Sequence, residues 1–180
     1  IDKNLWGVSI ESGVLEDPWV EPPASCYQWT KSAQEAPNRP VYVEIEFYKG
    51  VPKKINGKQY RLINLIDKLN KTGSLNGIGR SDAIENRVVG IKSREIYEAP
   101  AGVILYLAHK ELESLVLDKE SLRYKEAVSL KYSELIYSGL WYCELKESLD
   151  KYIEETQKFV TGSVRLKLYK GNCIVSGRKS

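Results

Sequence analysis

The 180-residue sequence contains no methionine, a single histidine (His109) and three cysteines, Cys26, Cys143 and Cys173. The cysteines are scattered, odd in number and without a C-x-x-C pair, a pattern that argues against a zinc site. Free thiols with no targeting segment suit a reducing cytoplasm. No apolar run approaches the roughly 20 residues that a membrane-spanning helix needs. The opening Ile1-Asp2-Lys3-Asn4 has no basic stretch leading into an apolar one, so no signal peptide is expected. A chain that starts without Met and has none anywhere reads as a piece of a longer protein. A strong excess of one charge is also missing: the formal balance is +3, weak support for nucleic-acid binding.

Several common chemical motifs are missing. There is no G-x-x-x-x-G-K-[ST] phosphate loop and no G-x-S-x-G nucleophile elbow. Gly77-Ile78-Gly79 supplies G-x-G, but no third glycine follows at the spacing a dinucleotide site requires. His109 lies off the apolar stripe of its helix, so an exposed or capping role is expected and not that of a catalytic base.

What is present is a globular composition. Hydrophobic residues make up 42%, and the length fits one domain with a real core. Residues 1–40 hold five of the seven prolines. They read as an irregular segment wrapping over a body and anchored by Trp6, Trp19 and Trp29, because proline suits neither helix interiors nor central strands. The body, 41–180, opens with clean alternation: Val41, Val43, Ile45 and Phe47 point one way, and Tyr42, Glu44, Glu46 and Tyr48 the other. Turns at Lys49-Gly50 and Asn56-Gly57 extend this strand into a three-stranded meander ending near Tyr60–Leu62.

Apolar spacing predicts helices over about 62–71 (stopping near Gly73), from Pro100 through Leu115, over 119–138 and over 143–159. Residues 83–91 and 94–98 read as strands. A last hairpin turns at Lys170-Gly171, with Val164, Leu166 and Leu168 inward. Strands first, helices grouped later and a closing hairpin indicate an α+β class: an antiparallel or mixed sheet with hairpins and helices packed on it.

The segment from Glu85 to Pro100 is the densest in charge, with Glu85, Arg87, Lys92, Arg94, Glu95 and Glu98 around a short apolar core of Val88, Val89 and Ile91. Buried unpaired charges cost several kcal/mol, so such a strand is either solvated or arranged to hold something polar. Before it, Gly73, Gly77 and Gly79 suggest a flexible loop forming the wall of a small-molecule pocket. If Glu85 and Tyr97 lie on neighbouring strands, a turn near Gly90–Lys92 brings them to one face, where a carboxylate and a phenol suit a zwitterion. The alternative is a surface salt bridge of Glu85 with Arg87 or Arg94.

Longer motifs narrow the choice. Asn4-Leu5-Trp6-Gly7-Val8-Ser9-Ile10-Glu11 and Gly13-Val14-Leu15-Glu16-Asp17-Pro18-Trp19 are the first. Glu85-Asn86-Arg87-Val88-Val89-Gly90-Ile91-Lys92-Ser93-Arg94-Glu95-Ile96-Tyr97-Glu98 and Thr161-Gly162-Ser163-Val164-Arg165-Leu166 follow. Across essentially all 180 residues the sequence resembles argininosuccinate synthase. The resemblance implies a ligase that joins L-citrulline and L-aspartate at the expense of ATP, taken as its Mg2+ complex. ATP adenylates the citrulline ureido oxygen; the aspartate amine then displaces AMP, giving argininosuccinate, AMP and pyrophosphate.

It further implies a cytoplasmic homotetramer in arginine synthesis. The family's first, ATP-pyrophosphatase-type domain carries a Ser-Gly-Gly-x-Asp phosphate loop that this sequence lacks. The chain is thus similar to the second, substrate-binding and oligomerisation domain, without the family's C-terminal helical tail, and is expected to be inactive alone. The resemblance carries three citrulline-site residues over: Ser9, Glu85 and Tyr97. Val8 departs from the arginine of many relatives, which is expected to change the local charge beside Ser9, and Ser81 from an apolar residue.

Two readings of other classes stay open. One is an assembly module with no ligand role of its own. The other is a basic nucleic-acid-binding hairpin, since residues 161–180 hold Arg165, Lys167, Lys170, Arg178 and Lys179 with no acid. The latter has only Tyr169 for stacking, and a solvated strand face explains the same lysines.

Overall fold

In the computed structural model, which describes residues 1–180, nine strands and four helices succeed one another. They are β1 (Asp2–Lys3), β2 (Val8–Glu11), β3 (Val41–Tyr48), β4 (Val51–Ile55), β5 (Lys58–Gln59), α1 (Leu62–Leu75), β6 (Arg80–Asn86), β7 (Lys92–Glu98), α2 (Pro100–Val116), α3 (Lys119–Tyr137), α4 (Glu144–Gln157), β8 (Gly162–Tyr169) and β9 (Asn172–Lys179). The class is α+β, and the strands divide into two antiparallel sheets, ordered β5-β4-β3-β8-β9 and β1-β2-β7-β6.

The five-stranded sheet follows from the alternation of its residues. Val43, Ile45 and Phe47 of β3 and Val164, Leu166 and Leu168 of β8 face one side and are buried. They meet Leu65, Ile66 and Leu69 of α1 and Ala101, Ile104, Ala108 and Leu112 of α2 in a single core of 17 buried residues. Its hairpins turn where the sequence places left-handed residues: Asn56 and Gly57 both have positive φ (50° and 76°), as a type I′ turn requires. The outer face mixes charges, and two of the basic residues at the end of the chain are paired with acids, Lys179 on that face and Arg178 on the helix side. Lys179 Nζ lies 3.0 Å from Glu44, and Arg178 Nε donates to Glu111 at 2.7 Å. That distribution fits a solvated face.

α1 runs past its expected stop. Gly73 stays helical because its bare Cα lies against α2, where an added Cβ would come within 2.7 Å of Pro100 Cβ. The helix closes instead at Gly77, with Ile78 N–H bonded to Gly73 O and Gly77 N–H to Ser74 O, a Schellman pattern that buries Ile78. α2 starts at Pro100, and its second residue, Ala101, donates its N–H to Asn70 Oδ1 of α1. The same Asn70 amide donates through Nδ2 to Leu5 O, tying the N-terminal segment to the helix pair. The expected pocket wall is therefore a packing junction. Gly79 has φ +105°, and a Cβ there would lie 2.5 Å from Pro100 N.

The four-stranded sheet draws on the proline-rich start. Val8–Glu11 enters it as an inner strand between β1 and β7; the remainder of the first 40 residues is mostly irregular. Of the proposed tryptophan anchors, Trp29 is half-buried, Trp6 packs against Gly102, and Trp19 is 95% exposed and anchors nothing. The segment is held instead by charge, through Glu98, Arg80 and Arg94 of the sheet. Val88, Val89 and Ile91 occupy the exposed tip of the β6–β7 hairpin and form no core. The turn there runs from Arg87 to Ile91, closed by Arg87 N–H to Ile91 O at 2.8 Å.

Candidate functional site

Alternation along three adjacent strands assigns side chains to the two faces of the four-stranded sheet. Register pairs Ser9 with Tyr97, Glu11 with Glu95, Ala83 with Glu95 and Glu85 with Ser93. Ser9, Glu11, Glu85, Ser93, Glu95 and Tyr97 therefore share one face. Val8, Glu98, Arg80, Asp82 and Arg94 point to the other.

The second face is closed by residues 12–35. Glu98, with 0% exposure, takes hydrogen bonds from the backbone N–H groups of Gln28 (2.7 Å), Trp29 (3.0 Å) and Thr30 (2.8 Å) and from the Thr30 hydroxyl (2.6 Å). Arg80 donates to Thr30 Oγ1 and O at 2.6 Å each, with its guanidinium 3.7 Å from the Tyr27 ring centroid. Arg94 bonds Asp82 and the carbonyls of Asp17 and Val20. Arg94 holds the Asp82 carboxyl below its ordinary value of 3.8. These charges tie the segment to the sheet. Val8 is buried on this side, opposite Glu98 in register, while Ser9 beside it points to the other face.

The first face is open. Tyr97 Oη donates to Glu85 Oε1 at 2.6 Å. The two are not register partners; the long phenol reaches along the face from its own pairing with Ser81. Burial, then the hydrogen bond to Glu85, then Glu95 push the Tyr97 phenol far above its ordinary value of 10. Its proton thus stays in place at neutral pH, pinned to Glu85, while the phenol oxygen still has lone pairs to accept with. Neither Arg87 nor Arg94 pairs with Glu85, so the surface salt bridge considered from sequence is not formed. Arg87 is ion-paired with Glu11 and Glu95 and lies 3.3 Å from Ser93 Oγ. Sequence reasoning missed this clamp. The signal was the shared two-residue spacing Ser9/Glu11, Glu85/Arg87 and Ser93/Glu95/Tyr97, which aligns these groups once the strands are placed side by side.

The arrangement can bind a cation through Glu85 and polar groups through Ser9 and Tyr97. It contains no activated nucleophile. The fold has no cluster of three or more His, Cys, Asp or Glu able to hold a metal ion.

His109 is half-buried, with Nε2 2.8 Å from Gln157 Oε1 and its ring tilted on Phe47. Its role is to join α2 to the end of α4, neither exposed nor capping. Two clefts lie away from the trio. One of about 600 Å³ runs between α2 and α3, lined by Tyr106, Lys110, Glu113 and Lys125; one of about 700 Å³ lies between the N-terminal segment and α1, beside Leu5, Trp29 and Asn70.

A family model described as the arginosuccinate synthase C-terminal domain matches residues 1–180. The chain belongs to this family. It is 58% identical over all its residues to the argininosuccinate synthase of Chlorobium phaeobacteroides, covering 45% of that protein. It is 57% identical to that of Thermoanaerobacter sp. strain X514, covering 44%, and 54% identical to that of Chlorobaculum tepidum, covering 45%. The chain therefore spans somewhat less than half the length of the argininosuccinate synthases it matches. No helix is long and apolar enough to cross a membrane.

Proposed function

We propose that this chain is the citrulline-binding part of an argininosuccinate synthase, a cytoplasmic, AMP-forming carbon–nitrogen ligase of arginine biosynthesis. The observation that carries the reading is the Tyr97–Glu85 hydrogen bond, set opposite Ser9 on an open polar face. Glu85 Oε1 is engaged by the phenol, and Oε2 is free to accept from the citrulline ammonium. Ser9 and the Tyr97 oxygen hydrogen-bond the remaining polar ends.

The rest of the protein roofs this face and supplies the contacts to ATP, its Mg2+ and aspartate. In the reaction, AMP is attached to the ureido oxygen and then displaced by the aspartate amine. This chain's contribution is to hold citrulline in register for both steps, which is catalysis by positioning and electrostatics. Calorimetric titration of the full-length protein with L-citrulline tests it. Glu85→Gln is expected to cost about 2–4 kcal/mol of binding, as for a charge-assisted contact left unpaired. Unchanged affinity removes Glu85 from the site.

An assembly role alongside ligand binding is favoured by one observation. The hairpin tip (Val88 76%, Val89 78%) exposes apolar side chains close to α3, where Tyr137 Oη donates to Asn86 O at 3.3 Å. Such a surface suits subunit contacts in a homotetramer.

A further inference from the structure

Three glutamates from three strands, Glu11, Glu85 and Glu95, share the face that carries Ser9 and Tyr97. Glu11 and Glu95 stand directly opposite each other in register, a like-charge arrangement that by itself destabilises a sheet. Glu95 is only 5% exposed and has no other cation than Arg87. Arg87 reaches back from the hairpin turn and takes both Glu11 and Glu95. Glu85 is left as the one glutamate of the three without a cation, and it alone holds the Tyr97 proton at hydrogen-bond length. Glu95 precedes Tyr97 by two residues on β7 and projects from the same face, at a level between Tyr97 and Glu85, where it can compete for the hydroxyl.

We infer that Arg87 is a positioning residue: by occupying Glu11 and Glu95 it leaves Glu85 to take the Tyr97 hydroxyl through one oxygen and the ligand's ammonium through the other. The inference rests on the citrulline-site reading. Without Arg87, Glu95 becomes a buried carboxylate with no cation, repelled by Glu11. It draws the Tyr97 hydroxyl away from Glu85, and the binding carboxylate loses its orientation. All three Arg87 contacts on this face come from one guanidinium nitrogen, so a lysine ammonium reproduces part of the clamp.

Steady-state kinetics of the full-length protein with citrulline varied, alongside thermal unfolding, test this. Arg87→Gln is expected to raise the citrulline KM about tenfold, with kcat changed by less than about threefold and the aspartate KM unmoved. Arg87→Lys should fall between wild type and Arg87→Gln. Adding Glu95→Gln to Arg87→Gln removes the competing carboxylate and should recover most of the lost KM, a rescue that general loosening of the hairpin does not give. An unchanged or lower KM in Arg87→Gln, or no rescue in the double variant, overturns the inference. If Arg87→Gln fails to fold, the same comparison is made between Arg87→Lys and its Glu95→Gln double variant. Glu85→Gln is run in parallel. An unaltered citrulline KM there defeats the site reading itself, whereas a raised KM in Glu85→Gln beside an unaffected Arg87→Gln defeats only the role given to Arg87.

Discussion

The two faces of the four-stranded sheet carry the same kinds of residue and treat them in opposite ways. Toward residues 12–35, the Glu98 carboxylate is buried and saturated by three backbone N–H groups and a hydroxyl. On the open side, Glu85 accepts one hydrogen bond from a phenol and no ion pair. A buried carboxylate surrounded by donors holds a fold together; a carboxylate with an idle oxygen at an open surface is available to something else. Identical chemistry thus separates into architecture and recognition by how many donors the chain itself supplies.

The sharpest way to break the comparison is to remove each carboxylate in turn. Glu98→Ala leaves the three N–H groups and Thr30 without their acceptor and is expected to lower the unfolding free energy by about 3–5 kcal/mol, read from urea denaturation. Glu85→Gln, in the same assay, should stay within about 1 kcal/mol of wild type, its penalty appearing in citrulline binding. Equal destabilisation by the two would erase the distinction between the faces.

A smaller effect comes from acid. The Asp82 carboxyl is held below its ordinary value by Arg94, so it binds fewer protons in the folded chain than in the unfolded one near that value. Its contribution is present above about pH 4 and is lost as pH falls through the folded value. The urea midpoint should decline through that window, and Asp82→Asn should flatten the decline. Smallest of all is Trp19→Ala. With 95% of the residue exposed, the change should move stability by less than about 0.5 kcal/mol, despite the residue's size and its place in a distinctive motif.

Much of the five-stranded half is legible in the sequence. Alternation in Val41–Tyr48, the Asn56-Gly57 turn and the stripes of α1 and α2 are local signals, and tertiary packing agrees with them. The four-stranded half was less so. Val8–Glu11 offers only four residues, too few for alternation to speak, and its strand state is decided by pairing with β7. Gly73 reads as a helix stop, yet close approach to Pro100 overrides that tendency. At the site, Glu85 and Tyr97 were readable as a pair across a hairpin, and the family resemblance added Ser9 to them. The Arg87 clamp and the Glu98 anchor stayed hidden because each depends on strand neighbours, and in the second case on backbone donors from residues 28–30, which no residue pattern announces.

Asn70 gives this geometry a further meaning. One side chain in the middle of α1 grips the carbonyl of Leu5, just ahead of the strand bearing Ser9, and the amide of Ala101, just beyond the strand bearing Tyr97. Both strands of the Ser9–Tyr97 register pair are thereby tied, each at one end, to a helix that belongs to neither. A tilt of α1 would carry the two strands as a unit, so the polar face would travel with the helix while the ladder kept its internal spacing.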